Sequence, residues 1–220
     1  LRIHAAFLAI FTSLFSSAFA GSAVHVVDGD TLDVDGVRYR LHGIDAPEAG
    51  QACIGSDGRN WACGQRAIRQ MEELVLGKVV ECDSRGQDDY GRIISVCTAD
   101  GIEINARMIE SGIAWAFRKY SGDYVKLEDA AKRRRVGIWQ APTETAWDYR
   151  AHRWDASLSD RPDGKCPIKG NINRKNDRIY HVPWSKDYGK TKIDLGRGER
   201  WFCSEAEAIA AGWRAPLWGK

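Results

Sequence analysis

The sequence predicts an α+β fold: a curled five-stranded β-sheet with about three helices packed on it, then a small ββα module. Three observations carry that reading. Short runs of alternating apolar and polar residues recur within 23–34, 37–41, 78–83 and 92–98, set apart by turns and loops rich in glycine. Stretches with helical spacing lie between and after them, at 67–75, 104–109 and 124–131. Charge then divides the chain. Residues 21–160 hold 18 Lys and Arg against 23 Asp and Glu, whereas residues 161–220 hold 13 against 7. The body is acidic, which excludes a general polyanion-binding surface there; the tail is basic.

Taken in order, Arg2 and His4 give a weakly positive start, Ala5 to Phe15 is apolar, and Ala18-Phe19-Ala20 is a small-x-small cleavage signature. Residues 1–20 therefore read as a secretory signal peptide. The run is too short and too rich in Ser and Thr for a spanning helix, which needs about 20 apolar residues. No membrane association is expected once it is removed, and the mature chain is expected to be a secreted or periplasmic monomer.

From Ala23 to Val34 the chain enters and leaves the turn Asp28-Gly29-Asp30 as strand. Asp35-Gly36 is a two-residue hairpin signal. Val37, Tyr39 and Leu41 alternate with Arg38, Arg40 and His42, and Gly43 and Pro47 end that strand. Residues 49–64 form a glycine-containing loop. Ala67, Ile68, Met71, Leu74 and Val75 make a helix that stops at Gly77. Lys78 to Asp83 and Arg92 to Thr98 pair as a hairpin. Ile104, Met108 and Ile109 suit a short helix ending at Gly112. Ser121 caps a third helix with Tyr124, Leu127 and Ala131 on one face, ending near Gly137. Strands, helix, strands, helix, helix is the layout of an OB-type five-stranded barrel with added helices, here over residues 21–149.

Arg150 to Gly164 is polar, holds Pro162 and reads as a linker, residues 150–164. The basic module spans 165–220. Residues 179–182 and Trp201-Phe202 read as strands, and Ser204-Glu205-Ala206-Glu207 as a capping box opening a helix that Gly212 stops.

In an oxidising compartment six cysteines suggest disulfides. Cys53 and Cys63 bracket the glycine-containing loop, Cys82 and Cys97 lie on the two strands of one hairpin, and Cys166 and Cys203 are the pair in the last third. The expected bridges are 53–63, 82–97 and 166–203. A zinc site is the rival, but the sequence has no CxxC pair and few histidines beside the thiols.

The chemistry concentrates in Val27-Asp28-Gly29-Asp30-Thr31, Tyr39-Arg40-Leu41, Asp45-Ala46-Pro47-Glu48 and Asp89-Tyr90-Gly91-Arg92. Asp30 and Asp45 sit at strand ends as hard oxygen donors, which points to Ca²⁺ or Mg²⁺. Arg40 and Arg92 supply always-charged forks that suit phosphoryl oxygens. Glu48 lies three residues past Asp45, where a carboxylate either deprotonates or positions a water. His42 reads as a structural strand histidine, and Lys132 to Arg135 as the solvated face of a helix.

These motifs, together with Ile109-Glu-Ser-Gly-Ile-Ala-Trp115 and Gly137-Ile-Trp139, resemble the thermonuclease, or staphylococcal-nuclease-like, family over about residues 23–140. The resemblance implies a Ca²⁺-dependent phosphodiesterase acting on DNA and RNA and cutting the bond to the 5′ oxygen. It implies metal ligation by Asp30, Asp45 and the carbonyl of Ala46, catalysis by Arg40, Glu48 and Arg92, and a substrate contact from Tyr90, with Asp28 behind the ligands. Ala46 stands where the founding member has Thr, and Asp89 where it has a phosphate-contacting Lys. Arg118 stands at a phosphate-side Tyr position and is expected to bind substrate. The tail resembles a small module appended to some bacterial exported proteins, including nuclease-like members of rhizobial exopolysaccharide clusters. Its charge permits a polyanion, nucleic acid or acidic polysaccharide. The alternative function is a non-catalytic envelope or exopolysaccharide-associated binding protein on the same barrel.

Overall fold

The computed structural model describes residues 22–159 and 166–216; residues 1–20, expected to be a signal peptide, lie outside them. Strands β1 (Val24–Asp28), β2 (Thr31–Val34) and β3 (Val37–Leu41) form an antiparallel meander. Asp35 (φ 51°) and Gly36 (φ 85°) make the tight turn between β2 and β3, in the left-handed region that matches strand twist. Next come β4 (Ile44–Asp45), the small pair β5 (Cys53–Ile54) and β6 (Asn60–Trp61), and helix α1 (Cys63–Val75). The hairpin of β7 (Val80–Gln87) and β8 (Ile93–Ala99) follows, extended by β9 (Ile102–Glu103). Helix α2 (Ile104–Glu110), β10 (Trp115–Ala116), α3 (Val125–Arg134) and α4 (Ala146–Ser159) complete the first unit.

The sheet has six strands, one more than expected, in the order β1-β2-β3-β8-β7 with β9 on β8. Strand β3 pairs β8 in parallel, and every other ladder in the sheet is antiparallel. The sheet curls until its outer strands approach: Val80 N donates to Ser22 Oγ at 3.2 Å, and Ser22 Oγ donates back to Val80 O at 3.5 Å. Leu32, Leu41, Met71, Val75, Ile104 and Met108 fill the interior between sheet, α1 and α2. Each is almost wholly buried, which stabilises the fold by roughly 1.5–3 kcal/mol per large side chain relative to exposure.

The expected linker at 150–164 is helix through Ser159, and its remaining residues lie outside the described ones. Thr145 caps this helix: Asp148 N donates to Thr145 Oγ1 at 3.3 Å, and that hydroxyl donates to Asp148 Oδ2 at 2.6 Å. Its two ends pack on different cores. Ala146 and Trp147 join Trp115, Ile138 and Trp139 in the first unit, whereas Trp154 packs on the terminal unit.

That terminal unit has a third strand beyond the two expected. β11 (Ile168–Ile172) is central, flanked by β12 (Arg178–His181) and β13 (Arg200–Phe202), before helix α5 (Glu205–Ala210). Glycine at 170 lets two rings cover β11: a Cβ there would lie 2.4 Å from the Phe202 ring and 2.8 Å from Trp213 Nε1. Ser204 Oγ accepts from Glu207 N at 3.1 Å and caps α5. Disulfides join Cys53–Cys63, Cys82–Cys97 and Cys166–Cys203. Among the described residues no helix is long and apolar enough to cross a membrane.

Candidate active site

Two strand ends are tied together by one carboxylate. The ladder of β1 shifts register between Val26 and Asp28, which bends the strand into the Gly29 turn. Asp28 Oδ1 accepts from Asp30 N at 3.1 Å and fixes that turn. Asp30, 3 % exposed, accepts from Thr31 Oγ1 at 3.1 Å and from Ala46 N at 3.0 Å. Asp45, fully buried, is held because β4 pairs β10, with Asp45 opposite Trp115. Arg40 comes from β3, directly opposite Thr31 in the register. Its guanidinium forks between the two acids, one nitrogen on Asp30 and the other 3.0 Å from Asp45 Oδ1.

Glu48 belongs to a loop clamped from three sides. Its N–H donates to Gln51 Oε1 at 3.1 Å, and Gln51 N donates back to Glu48 O at 2.8 Å. Gln51 Nε2 donates to Glu144 O at 2.8 Å, linking this loop to the segment before α4. The start of α1 presses on it so closely that a Cβ at Gly64 would sit 1.7 Å from Glu48 O. The Cys53–Cys63 bridge closes the far side.

A third guanidinium, unforeseen from the sequence, completes the cluster. Arg150 of α4 donates to Asp45 Oδ2 at 2.7 Å, to Asp45 Oδ1 at 3.1 Å and to Glu48 Oε1 at 2.6 Å. Its signal was the Thr145–Asp148 cap, which marks a helix start five residues earlier. Arg92 stands apart from this cluster. Asp88 accepts from Arg92 Nε at 2.7 Å and from Arg92 N at 3.0 Å, and the guanidinium lies 5.2 Å from the centre of the Tyr90 ring. Arg92, Tyr90, Arg40, Glu48 and Arg150 all line one cavity of about 900 Å³.

Arg118 is not brought there. The buried carboxylate of Glu128 takes it at 2.6 Å and shares it with Asp129 at 3.3 Å, and Arg118 does not line that cavity. His42 pairs loosely with Asp123 at 3.5 Å. Lys132 is spent on Glu128 at 2.8 Å, and Arg134 on the carbonyl of Glu110.

Burial dominates the electrostatics. It raises Asp30, against the pull of Arg40, and pushes Glu48 up to about 8, against the pull of Arg150. For Arg40 and Arg150 burial opposes the charge, but the facing carboxylates outweigh it, and both are held above the ordinary guanidinium value. Four carboxylates, Asp28, Asp30, Asp45 and Glu48, meet two guanidiniums, Arg40 and Arg150. The carboxyl groups outnumber the guanidiniums, and such hard oxygen donors are a set that fits a divalent cation of the Ca²⁺ or Mg²⁺ kind. Among the described residues no three His, Cys, Asp or Glu side chains converge by themselves, because guanidinium nitrogens lie between the acids.

The family model described as "Staphylococcal nuclease homologue" matches residues 38–141. That span includes Arg40, Asp45, Glu48 and Arg92 and excludes Asp30 and Arg150. The succinoglycan biosynthesis protein ExoI of Rhizobium meliloti (strain 1021) is 33 % identical over 66 % of this chain and 81 % of its own length. The micrococcal nuclease of Shigella flexneri is 33 % identical over 68 % of this chain and 91 % of its own. An endonuclease of Escherichia coli is 36 % identical over 60 % and 85 %.

Proposed function

We propose that this chain, which belongs to the staphylococcal nuclease homologue family, is an exported Ca²⁺-dependent nuclease that hydrolyses phosphodiester bonds of DNA and RNA at the 5′ oxygen. The family and its nuclease-named relatives make it a hydrolytic nuclease. The observation that supports the finer reading is that Arg40 ties Asp30 to Asp45, that Arg150 ties Asp45 to Glu48, and that Arg40, Glu48 and Arg150 line the cavity that Arg92 also lines.

Asp30, Asp45 and the carbonyl of Ala46 would hold the calcium ion. Bound there, it supplies positive charge to a phosphate oxygen and to the attacking water. Arg40 and Arg92 donate to the phosphoryl oxygens as charge builds on them. Glu48, whose ionised form a neighbouring cation favours, accepts a proton from the water. The water oxygen bonds to phosphorus as the bond to the 5′ oxygen breaks, and the departing oxygen takes a proton from solvent, which leaves a 3′ phosphate and a 5′ hydroxyl. Arg150 holds Glu48 against Asp45 and keeps both carboxylates in place. Three disulfides suit an oxidising compartment.

The purified mature chain should degrade single-stranded DNA with calcium and stop when a chelator is added; absence of metal-dependent cleavage refutes the reading. The similarity to a protein named for succinoglycan biosynthesis favours one alternative, an envelope or exopolysaccharide-associated binding protein. It predicts retention on acidic polysaccharide that depends on residues 161–220, without hydrolysis of DNA.

A further inference from the structure

On the premise of the nuclease reading, we propose that the terminal unit is the second wall of the substrate cleft. Trp154 and Trp184 would take the base of the nucleotide next to the scissile phosphate, so the strand there must be unpaired. The cavity has two chemically different sides. Arg40, Glu48 and Arg92 come from the sheet unit; Tyr180, Val182, Trp184 and Ala215 come from the terminal unit, and Trp154 from the helix between them.

Charge separates the roles of the two sides. Residues 161–220 carry a balance of +6, yet among the described residues of the terminal unit only Glu205 brings a charge to this cavity. Its carboxylate accepts from the Tyr180 hydroxyl at 2.8 Å. This wall therefore offers phosphate no cation. It offers the ring faces of Trp154 and Trp184. Trp154 and Trp184 lie 6.3 Å apart with their planes tilted by 36°, both half-buried.

The wall is anchored against the catalytic side. Arg153 Nε donates to Pro183 O at 3.1 Å, so α4 and the segment carrying Trp184 hold together. Gly50, two residues past Glu48, lies so close that a Cβ there would be 3.2 Å from Trp184 O. A base gripped by this wall thus has its phosphate among the guanidiniums opposite. Within a duplex each base is stacked on both faces and has none to offer, whereas an unpaired base has. Stacking on an aromatic side chain contributes about 1–3 kcal/mol per base with little sequence preference.

The test compares cleavage of oligo(dT) with cleavage of an abasic strand of equal length, using the full chain and calcium. KM should be roughly tenfold lower for oligo(dT). Tryptophan fluorescence should be quenched by oligo(dT) in the Glu48→Gln protein and not by the abasic strand. In Trp184→Leu the KM ratio should fall towards one, and Trp184→Phe should restore it. Equal KM values and equal quenching in the unsubstituted wall would overturn the proposal, even if Trp184→Leu does not fold. Displacement of oligo(dT) by an uncleaved acidic polysaccharide, with quenching of the same kind, would assign the wall to a glycan and overturn it too. If neither strand is cut, the nuclease reading fails on its own account, and the quenching comparison still decides whether the wall takes bases.

Discussion

Arg150 closes on Asp45 across 105 residues of sequence, with one guanidinium nitrogen 2.7 Å from Oδ2 and the other 3.1 Å from Oδ1. The second nitrogen also reaches Glu48 at 2.6 Å, so one side chain fixes the proposed metal ligand and the proposed base together. Arg150→Ala would leave a fully buried carboxylate with half its compensation. The expected loss is roughly 3 kcal/mol of stability, read from the urea midpoint, with a fall in activity. Arg150→Lys should recover only part of each, because a lysine cannot bond both carboxylates through a fork. Unchanged stability and activity in Arg150→Ala would show the contact to be incidental.

Glu48→Gln should lower kcat roughly 10²–10⁴-fold while the protein stays folded. Gln keeps the size and the capacity to accept from Arg150, but it cannot take a proton. The check is steady-state cleavage beside a circular-dichroism melt; near-normal kcat would remove Glu48 from the base role.

Gly64→Ala should disable the site from behind. The added Cβ would fall 1.7 Å from Glu48 O, against backbone that cannot yield without moving the loop. Loss of activity with a lowered melting temperature is expected. A fully active, equally stable variant would mean that the loop tolerates a shift of this size.

Acid should weaken the terminal unit through His181. This ring is buried in β12, its Nε2 3.0 Å from Asn171 Oδ1, and burial lowers its pKa below the ordinary histidine value. A lowered folded-state pKa means that the neutral ring is favoured in the fold. Its contribution is present above about pH 6.5 and is lost as the pH falls through the folded value. The melting temperature should drop between pH 7.5 and 5, and His181→Gln should flatten that slope. An identical slope in the variant would place the sensitivity elsewhere.

The sheet and four of its catalytic candidates were legible because their signals are local. Asp35-Gly36 announces its own turn, and the alternation around Arg40 sets which face that arginine occupies. Helix α4 was hidden by its packing. Its apolar residues split between two cores, Trp147 on one and Trp154 on the other, so no single stripe forms and the segment reads as polar linker. The partner of Arg150 lies far away in sequence, and nothing nearby betrays it. Strand β11 was missed because Gly170 and Asn171 are poor strand formers, and the Phe202 and Trp213 rings that require the glycine come later in the chain. The resemblance alone points Arg118 to substrate. Its ion-pair partner in the fold, Glu128, is a buried carboxylate whose need for a cation is a tertiary fact.

The most direct test is to digest single-stranded DNA of defined length with the purified chain and calcium, and to identify the new ends. The wild-type protein should leave 3′ phosphates and 5′ hydroxyls, and Asp45→Asn and Arg92→Ala should each leave the strand largely uncut. Products ending in 5′ phosphate, or undiminished cutting by both variants, would contradict a site built on these residues.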